Sequence, residues 1–109
     1  MKVKVVITKY ISDDPQPGIV ECHLSDAQNR DWTFIEKTAV VSTALLNANT
    51  KYPVFTEIAC RPISKKKNAK GREIFRICTD VWFIESTDGV DEFDVFQESL
   101  ILEEGDISK

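Results

Sequence analysis

The residues best suited to acid–base or nucleophilic chemistry are few and widely spaced. His23 is the one histidine in the chain, and the unperturbed pKa of histidine, about 6.5, suits proton transfer near neutral pH. Cys22 precedes it directly. Because adjacent side chains of a β-strand point to opposite faces, the two cannot form a nucleophile–base pair within a regular strand. The sequence therefore predicts an exposed or rim histidine and no catalytic residue.

The cysteines do not show the spacing of a metal site. Cys22, Cys60 and Cys78 are three in number, and none belongs to a Cys-x-x-Cys pair. A zinc site would have to gather all three thiols and His23 from distant positions. We instead predict reduced cysteines that fill apolar strand positions, with no metal and no cofactor.

Motifs that bind phosphate, nucleotides or catalytic metals are also missing. The chain has four glycines, and we find no Gly-x-Ser-x-Gly elbow, Walker loop, dinucleotide fingerprint or His-Glu-x-x-His pattern. Acid pairs such as Asp13–Asp14 flank turns, where solvated charge explains them. We predict that the chain is not an enzyme. The last-ranked alternative is an enzyme or small-ligand carrier that uses the mouth of a barrel near Glu21 and His23.

A basic segment over residues 65–72 is the strongest charge feature, and it has two interpretations. Its cations are Lys65, Lys66, Lys67, Lys70 and Arg72. They could contact the phosphates of a single-stranded nucleic acid while nearby aromatic residues stack on bases. However, the net charge of the chain is −4 and no second basic segment extends the patch. The sequence favours a solvated hairpin tip that blunts edge pairing, with polyanion binding as the alternative.

A second candidate site combines large aromatic residues with acids. Trp82 and Phe83 are adjacent, so in a regular strand one of them would point away from the core. Glu85, Asp88 and Asp91 follow closely. An exposed aromatic residue is a common anchor at protein interfaces. We therefore predict that Trp82, Phe83 and the three acids contact a protein partner.

Alternating apolar residues and turn signals predict the strands that carry these residues. The 38–50 segment is predicted to be irregular with a short helix, in which Ser42 is the N-cap and Asn47 or Asn49 the terminator. Residues 99–102 are predicted to form a short edge strand or a helical turn, and residues 103–109 a frayed acidic tail. The predicted strands are Lys2–Ile11, Ile19–Leu24, a third that begins at Trp32–Ile35, Val54–Ile63, Arg72–Thr79 with a continuation over Trp82–Glu85, and Val90–Phe96.

Six or seven short strands without strand–helix alternation predict an all-β fold with one short helix, built as an antiparallel barrel or sandwich. The 109 residues, 42% of them hydrophobic and 29% charged, fit one globular domain over residues 1–109. No apolar run approaches the roughly 18 residues of a membrane span, and the first residues lack a signal-peptide cleavage region. We therefore expect a cytoplasmic protein without a membrane partner.

Two pieces of the chain, Asp31–Lys37 (DWTFIEK) and Glu85–Phe93 (ESTDGVDEF), resemble small uncharacterised bacterial all-β proteins. The resemblance covers about half the chain. It implies a bacterial, cytosolic protein and brings no activity or catalytic residue with it.

The sequence thus favours a non-enzymatic protein-interaction module with an acidic, aromatic-containing face. One specific form is an immunity-like protein that neutralises a toxin, whose basic surface would be attracted by the acids. A weak single-stranded nucleic-acid binder is the first alternative, and small-ligand binding is the second.

Overall fold

The computed structural model describes residues 1–42 and 46–103. One four-residue helix, α1 (Thr38–Val41), and two single 3-10 turns, Asp80–Trp82 and Gln97–Ser99, interrupt the strands. No described helix is long and apolar enough to cross a lipid bilayer. The described strands are β1 (Lys2–Ser12), β2 (Ile19–Ser25), β3 (Asp31–Lys37), β4 (Val54–Ala59), β5 (Arg61–Lys67), β6 (Glu73–Cys78), β7 (Glu92–Phe96) and β8 (Leu100–Ile101).

The strands form two antiparallel sheets. The larger sheet has the order β3-β2-β1-β4, and β8 also pairs with β1. The smaller sheet has the order β5-β6-β7. Neither sheet closes on itself, so the arrangement is sandwich-like. The predicted all-β antiparallel fold with one short helix is confirmed, whereas its barrel alternative is not.

Period-two alternation builds the core between the sheets. In β1, Val3, Val5 and Ile7 are buried while Lys2 and Lys4 are exposed, because successive side chains alternate between the two faces of a strand. The same alternation would bury Ile11, but Ile11 is exposed. Register shifts against β2 between Ile7 and Lys9, and again between Tyr10 and Ser12, break the period. The residues of the smaller sheet that join this core are Ile77, Phe93 and Val95.

The predicted strand Val54–Ile63 is in fact two strands in different sheets. β4 pairs with β1 in the larger sheet, whereas β5 pairs with β6 in the smaller one. The chain changes sheets at Cys60, whose backbone N–H donates to the carbonyl of Met1 over 3.0 Å. The sequence shows no break here because a single residue, Cys60, separates β4 from β5. The predicted pairing of the whole segment with the next strand is therefore wrong.

The prediction for residues 38–50 is right about a short helix and wrong about its position. Ser42 does not cap the start of α1 but follows its end in extended backbone, where its N–H donates to the Thr38 carbonyl. Asn47 instead forms a turn, since its Oδ1 accepts from the Asn49 N–H over 2.8 Å. Residues 43–45 lie outside the described part of the chain.

Residues 99–102 were predicted to form either a short edge strand or a helical turn, and the structure has both, one after the other. A 3-10 turn at Gln97–Ser99 leads into β8. Glu103, the first residue of the predicted acidic tail, forms an ion pair with the N-terminal ammonium of Met1 over 2.9 Å. The rest of that tail, residues 104–109, is outside the described residues.

Candidate protein-interaction site

The loop that joins β6 to β7, residues 79–91, contains all the residues predicted to contact a protein partner. We call it the β6–β7 loop. The predicted strand over Trp82–Glu85 is wrong. Asp80–Trp82 is a 3-10 turn, and Phe83 has a left-handed backbone with φ of 59°. The Phe83 N–H donates to the Asp80 carbonyl over 3.0 Å, which closes the turn.

Buried residues fix the first half of this loop. Thr79 and Ile84 are 0% and 1% exposed. The Thr79 hydroxyl donates to the Ile84 carbonyl over 2.7 Å, and the Thr79 N–H donates to the Asp91 carbonyl over 2.8 Å. These bonds close the loop at its base. Their burial makes them costly to break, because a buried polar group that loses its partner is not resolvated.

The second half of the loop is fixed by Ser86 and by the edge of the larger sheet. Ser86 is buried, and its Oγ accepts from the N–H groups of Asp88 and Val90 over 3.2 and 3.1 Å. The Thr87 N–H donates to the carbonyl of Thr33 in β3 over 2.8 Å. The predicted turn over residues 86–89 is confirmed, with φ of 79° at Gly89. The loop is therefore attached to both sheets.

This fixed loop presents three apolar side chains to solvent. Val81, Trp82 and Phe83 are 45%, 64% and 91% exposed. We call these residues the apolar tip. The sequence predicted that one of the two aromatic residues would point outward. Both do, because the backbone at this point is a tight turn and the alternation of a strand does not apply.

The backbone of Phe83 is unfavourable for its residue type. A left-handed conformation costs an L-residue roughly 1–2 kcal/mol relative to glycine, because Cβ crowds the following carbonyl. At 91% exposure, the phenyl ring gains almost no burial within the chain to offset this cost. Strain of this kind in folded proteins is concentrated at functional sites.

An ion pair connects the base of the apolar tip to β5. Arg61 donates from Nε to Asp80 Oδ1 over 2.8 Å and from Nη2 to Oδ2 over 2.9 Å. These bonds to the guanidinium lower the pKa of Asp80 below its usual range. The bidentate geometry fixes the direction of the Asp80 side chain as well as its charge.

The three predicted acids lie in the same loop with different surroundings. Glu85 and Asp88 are exposed, and Asp91 is half-buried. Asp91, Asp80 and the buried Cys78 place one ligand atom each within 4.8 Å of one another. Both oxygens of Asp80 already bind Arg61, and burial raises the pKa of the Cys78 thiol. The ion pair therefore accounts for this cluster, and we assign no metal to it.

The basic segment is divided between a strand and a loop, rather than lying wholly in a loop as predicted. Lys65, Lys66 and Lys67 belong to edge strand β5, all of whose residues are exposed. The loop follows, where Asn68 Oδ1 accepts from the N–H groups of Lys70 and Arg72, each over 2.9 Å. We call the two strands β5 and β6 with this loop the basic hairpin.

Acidic neighbours bind several of the cations in the basic hairpin. Lys65 pairs with Glu73 over 3.4 Å, and Lys66 approaches Asp94 over 3.8 Å. Arg72 pairs with Glu98 and lies 3.6 Å above the centre of the Phe96 ring. Within the described ranges, Lys67 and Lys70 form no ion pair.

His23 bridges two carboxylates on the outer face of the larger sheet. Its Nε2 lies 2.8 Å from Glu21 Oε2 and its Nδ1 lies 2.7 Å from Asp31 Oδ2. Burial acts to lower the pKa of His23, but the hydrogen bonds and charges of the two acids raise it overall. Since ionised carboxylates only accept hydrogen bonds, the bridge favours the doubly protonated ring. Cys22 points to the opposite, buried face, as predicted.

Sequence reasoning missed three features of the surface. Val81 completes the apolar tip, and Phe55 on the outer face of β4 is 82% exposed. Glu36 lies on the inward face of β3, where it is half-buried. The alternation Trp32, Phe34, Glu36 carried the signal for that last position.

A shallow depression of about 190 Å³ lies on the outer face of the smaller sheet. Its floor includes Asp94, which binds Arg76 over 2.8 Å and approaches Lys66. The polar groups are thus paired with one another, which leaves little unsatisfied capacity for a small ligand. The lining residues are Ser64, Lys66, Ile74, Arg76 and Asp94.

The arrangement at the β6–β7 loop is that of a fixed, convex contact surface with large apolar side chains and an acidic border. It brings no nucleophile and base together, since its thiol, Cys78, is buried and His23 lies on the outer face of the other sheet. Comparison with known proteins adds no further guide: no protein-family model, no curated protein and no solved structure matches this chain.

Proposed function

We propose that the chain is a non-enzymatic protein-interaction module that binds its partner through the apolar tip. The observation that carries this proposal is a pair of adjacent aromatic side chains, Trp82 and Phe83, that are 64% and 91% exposed on a hydrogen-bonded loop. Interfaces obtain most of their binding free energy from a few such anchors, among which tryptophan is enriched. A loop that is already ordered loses little conformational entropy on binding.

The acids beside the apolar tip support a basic partner. Glu85 and Asp88 are exposed within five residues of Phe83, and the negative charge of Asp80 is offset by Arg61. Complementary charge steers association and excludes partners of the wrong sign. An immunity-like protein that neutralises a basic toxin is one specific form of this function. The bacterial origin and cytoplasmic location expected from the sequence remain predictions.

Capture from the native host tests this proposal. The immobilised protein should retain a partner in stoichiometric amount, and Trp82→Ala or Phe83→Ala should abolish the capture. Phe55→Ala is the matched control, because Phe55 is equally aromatic and 82% exposed but lies on β4 of the larger sheet. Circular dichroism of each variant checks that the fold is kept. Equal capture by all four proteins would contradict the proposal.

Single-stranded nucleic-acid binding is the second candidate. The observation that favours it is the pair Lys67 and Lys70, which form no ion pair within residues 1–42 and 46–103. Fluorescence anisotropy with a labelled oligonucleotide should show weak binding that falls steeply with salt, and changing Lys65, Lys66 and Lys67 to glutamate should abolish it. Unchanged binding by the triple variant would exclude this function. For small-ligand binding, the third possibility, the described residues offer the shallow depression of the smaller sheet, whose polar groups are paired with one another.

A further inference from the structure

Strand β5 is an outer strand of the smaller sheet, because it pairs with β6 alone. All 7 of its residues are exposed. Among the described residues, only β6 is hydrogen-bonded to the backbone of β5. An outer strand of this kind carries a row of N–H and C=O groups that point into solvent and can template a further strand.

The other long outer strands are covered by neighbouring segments. At β3 the Thr33 carbonyl accepts from the Thr87 N–H over 2.8 Å, and at β7 the Asp94 carbonyl accepts from the Ala27 N–H over 2.7 Å. Strand β4 packs against α1, and only two of its 6 residues are exposed. Strand β5 is therefore the outer strand that the described part of the chain leaves uncovered.

The regular part of this uncovered strand is short. Pro62 has no N–H to donate, and the register against β6 shifts between Pro62 and Ser64. The loop after the strand begins at Asn68, whose N–H donates to the Arg72 carbonyl over 2.9 Å. The regular edge that remains is Ser64–Lys67, which we call the open edge.

The lysines of the open edge lie on both faces of the sheet. Lys66 lines the depression on the outer face, so Lys65 and Lys67 lie on the opposite face. Their ion pairs within the chain are long, at 3.4 Å from Lys65 to Glu73 and 3.8 Å from Lys66 to Asp94. A strand added at the open edge places one residue opposite each lysine, where opposite charges attract and like charges repel.

This charge disfavours a second copy of the chain as the added strand. If two open edges paired antiparallel about a two-fold axis, Lys65 of one copy would lie opposite Lys66 of the other. Like charges directly opposite each other destabilise a strand pair, and lysine on an outer strand is a common protection against self-pairing. The same lysines favour a strand that carries acids at consecutive positions.

A nucleic acid fits the open edge less well than a peptide does. Phosphate oxygens only accept hydrogen bonds, so they cannot satisfy the outward C=O groups of β5. The nearby aromatic rings are also poorly placed to stack on bases. Arg72 lies 3.6 Å from the centre of the Phe96 ring, and Phe75 is half-buried with the Lys65 ammonium 6.0 Å from its ring centre.

We infer that the open edge is a second binding site, at which an extended, acidic segment of a protein partner pairs as an additional strand. Acids at three consecutive positions of that segment lie opposite Lys65, Lys66 and Lys67, and its backbone supplies the hydrogen bonds that the open edge lacks. A run of acids is disordered when free, so it orders on binding. The site is separate from the apolar tip, and its partner has the opposite charge to the partner proposed there.

The test uses the full chain and a fluorescein-labelled peptide in which three consecutive glutamates are flanked by threonine and valine. Fluorescence anisotropy measures binding. Two altered peptides separate the parts of the interaction. In the first, glutamine replaces each glutamate, which removes the charge. In the second, the backbone nitrogens of the glutamates and their neighbours are methylated, which removes the backbone donors. A thymidine oligonucleotide of equal charge tests for nucleic-acid binding.

The protein variant is Lys65→Glu with Lys67→Glu, which reverses the charge on one face of the open edge. The matched control is Lys2→Glu with Lys4→Glu, which makes the same change in net charge. These two lysines are exposed as well, but they lie on β1, an inner strand of the larger sheet. Thermal unfolding checks each variant. If the first variant fails to fold, the methylated peptide with the wild-type chain decides the question.

We expect the glutamate peptide to bind the wild-type chain and to slow amide hydrogen exchange in Ser64–Lys67. Its affinity should fall roughly tenfold or more when glutamine replaces glutamate, when its backbone is methylated, and in Lys65→Glu with Lys67→Glu. The affinity should be unchanged in the control. Phe83→Ala should bind the peptide as the wild type does, so a failure of the proposed function would leave this inference in place.

Three results would overturn the inference. Equal binding of the methylated peptide would show a contact through charge without strand pairing. Tighter binding of the oligonucleotide than of the peptide would make nucleic acid the ligand of this edge. No binding of the glutamate peptide would show that the open edge does not accept an acidic strand.

Discussion

The basic hairpin and the β6–β7 loop are neighbours along the chain, on either side of the end of β6. They differ in whether their exposed side chains have partners within the chain. In the basic hairpin, Lys65 and Lys66 lie near acids of the neighbouring strands, and Arg72 contacts both Glu98 and Phe96. In the β6–β7 loop, the apolar tip is exposed and Glu85 has no partner in the described part of the chain. Most charged side chains of the hairpin thus have a partner within the chain. In the loop, the hydrogen bonds are made by the buried residues Thr79 and Ser86 and not by the exposed side chains.

This contrast separates residues that hold the fold from residues available to a partner. Thr79, Ile84 and Ser86 are buried and make the hydrogen bonds that shape the loop. The side chains of the apolar tip, by contrast, are largely exposed and contribute little buried area to the fold. A conspicuous charge pattern, such as the lysine run, is thus a weaker guide to function than a side chain whose exposure has no structural benefit.

The largest effect on stability should come from an anchor of the loop. Ile84→Ala removes a side chain that is 1% exposed and should lower the free energy of unfolding by about 2–5 kcal/mol, through lost burial and the cavity left behind. Trp82→Ala, two residues earlier, should change it by about 0.5 kcal/mol or less, since this side chain is largely solvated. Urea denaturation of both variants measures the difference. Similar losses would show that the tip is part of the fold.

A smaller effect should appear at His23 as the pH changes. The folded-state pKa of His23 is raised by Glu21 and Asp31. The stabilisation from the charged ring is therefore complete below the unfolded pKa of about 6.5 and is lost as pH rises through the folded value. We expect a decrease of about 1 kcal/mol or less over that range, because the site is partly solvated. Denaturation at several pH values should show this decrease in the wild type but not in His23→Gln. A wild-type stability that rises with pH over this range would contradict the bridge.

The smallest effect should follow from the unpaired cations of the basic hairpin. Lys67→Gln with Lys70→Gln should change the free energy of unfolding by about 0.5 kcal/mol or less, because both side chains are exposed. Partner capture should remain as in the wild type. Loss of capture in this double variant, with the fold kept, would move the binding site from the loop to the hairpin.

The sequence predicted the sheets better than the connections between them. Alternation in Val3, Val5 and Ile7 is a local signal, and so are the turn residues around Gly89. The change of sheets at Cys60 left no such signal, because that residue alone separates β4 from β5 and no loop with turn residues stands between them. Trp82 and Phe83 favoured a strand by residue type, but the buried hydrogen bonds of Thr79 impose a turn that only the tertiary structure explains.

The candidate site was likewise predicted only where its signal is local in the sequence. Trp82, Phe83 and their acidic neighbours could be identified because they are adjacent in the sequence. By contrast, the hydrogen bond from Thr87 to Thr33 attaches the loop to β3 between residues that are distant in the sequence. The bridge from His23 to Asp31 likewise depends on the register of β2 against β3. Contacts set by register or by loop docking are not visible in a single sequence.

The most direct test of the account is the stability and partner binding of Phe83→Gly, with Phe55→Gly as its control. Because Phe83 has φ of 59°, glycine should relieve backbone strain and raise the free energy of unfolding by about 0.5–1 kcal/mol, even after the added entropy of the unfolded chain. Phe55 lies within β4 and is paired with Val6 of β1, so glycine there should lower the free energy of unfolding by about 0.5–1 kcal/mol.

Phe83→Gly should also lose the partner, while Phe55→Gly should keep it. This combination, a more stable protein that no longer binds, is the result expected if Phe83 is kept for an interaction at the expense of the fold. A Phe83→Gly protein that is less stable than the wild type, or that binds as the wild type does, would contradict the central claim.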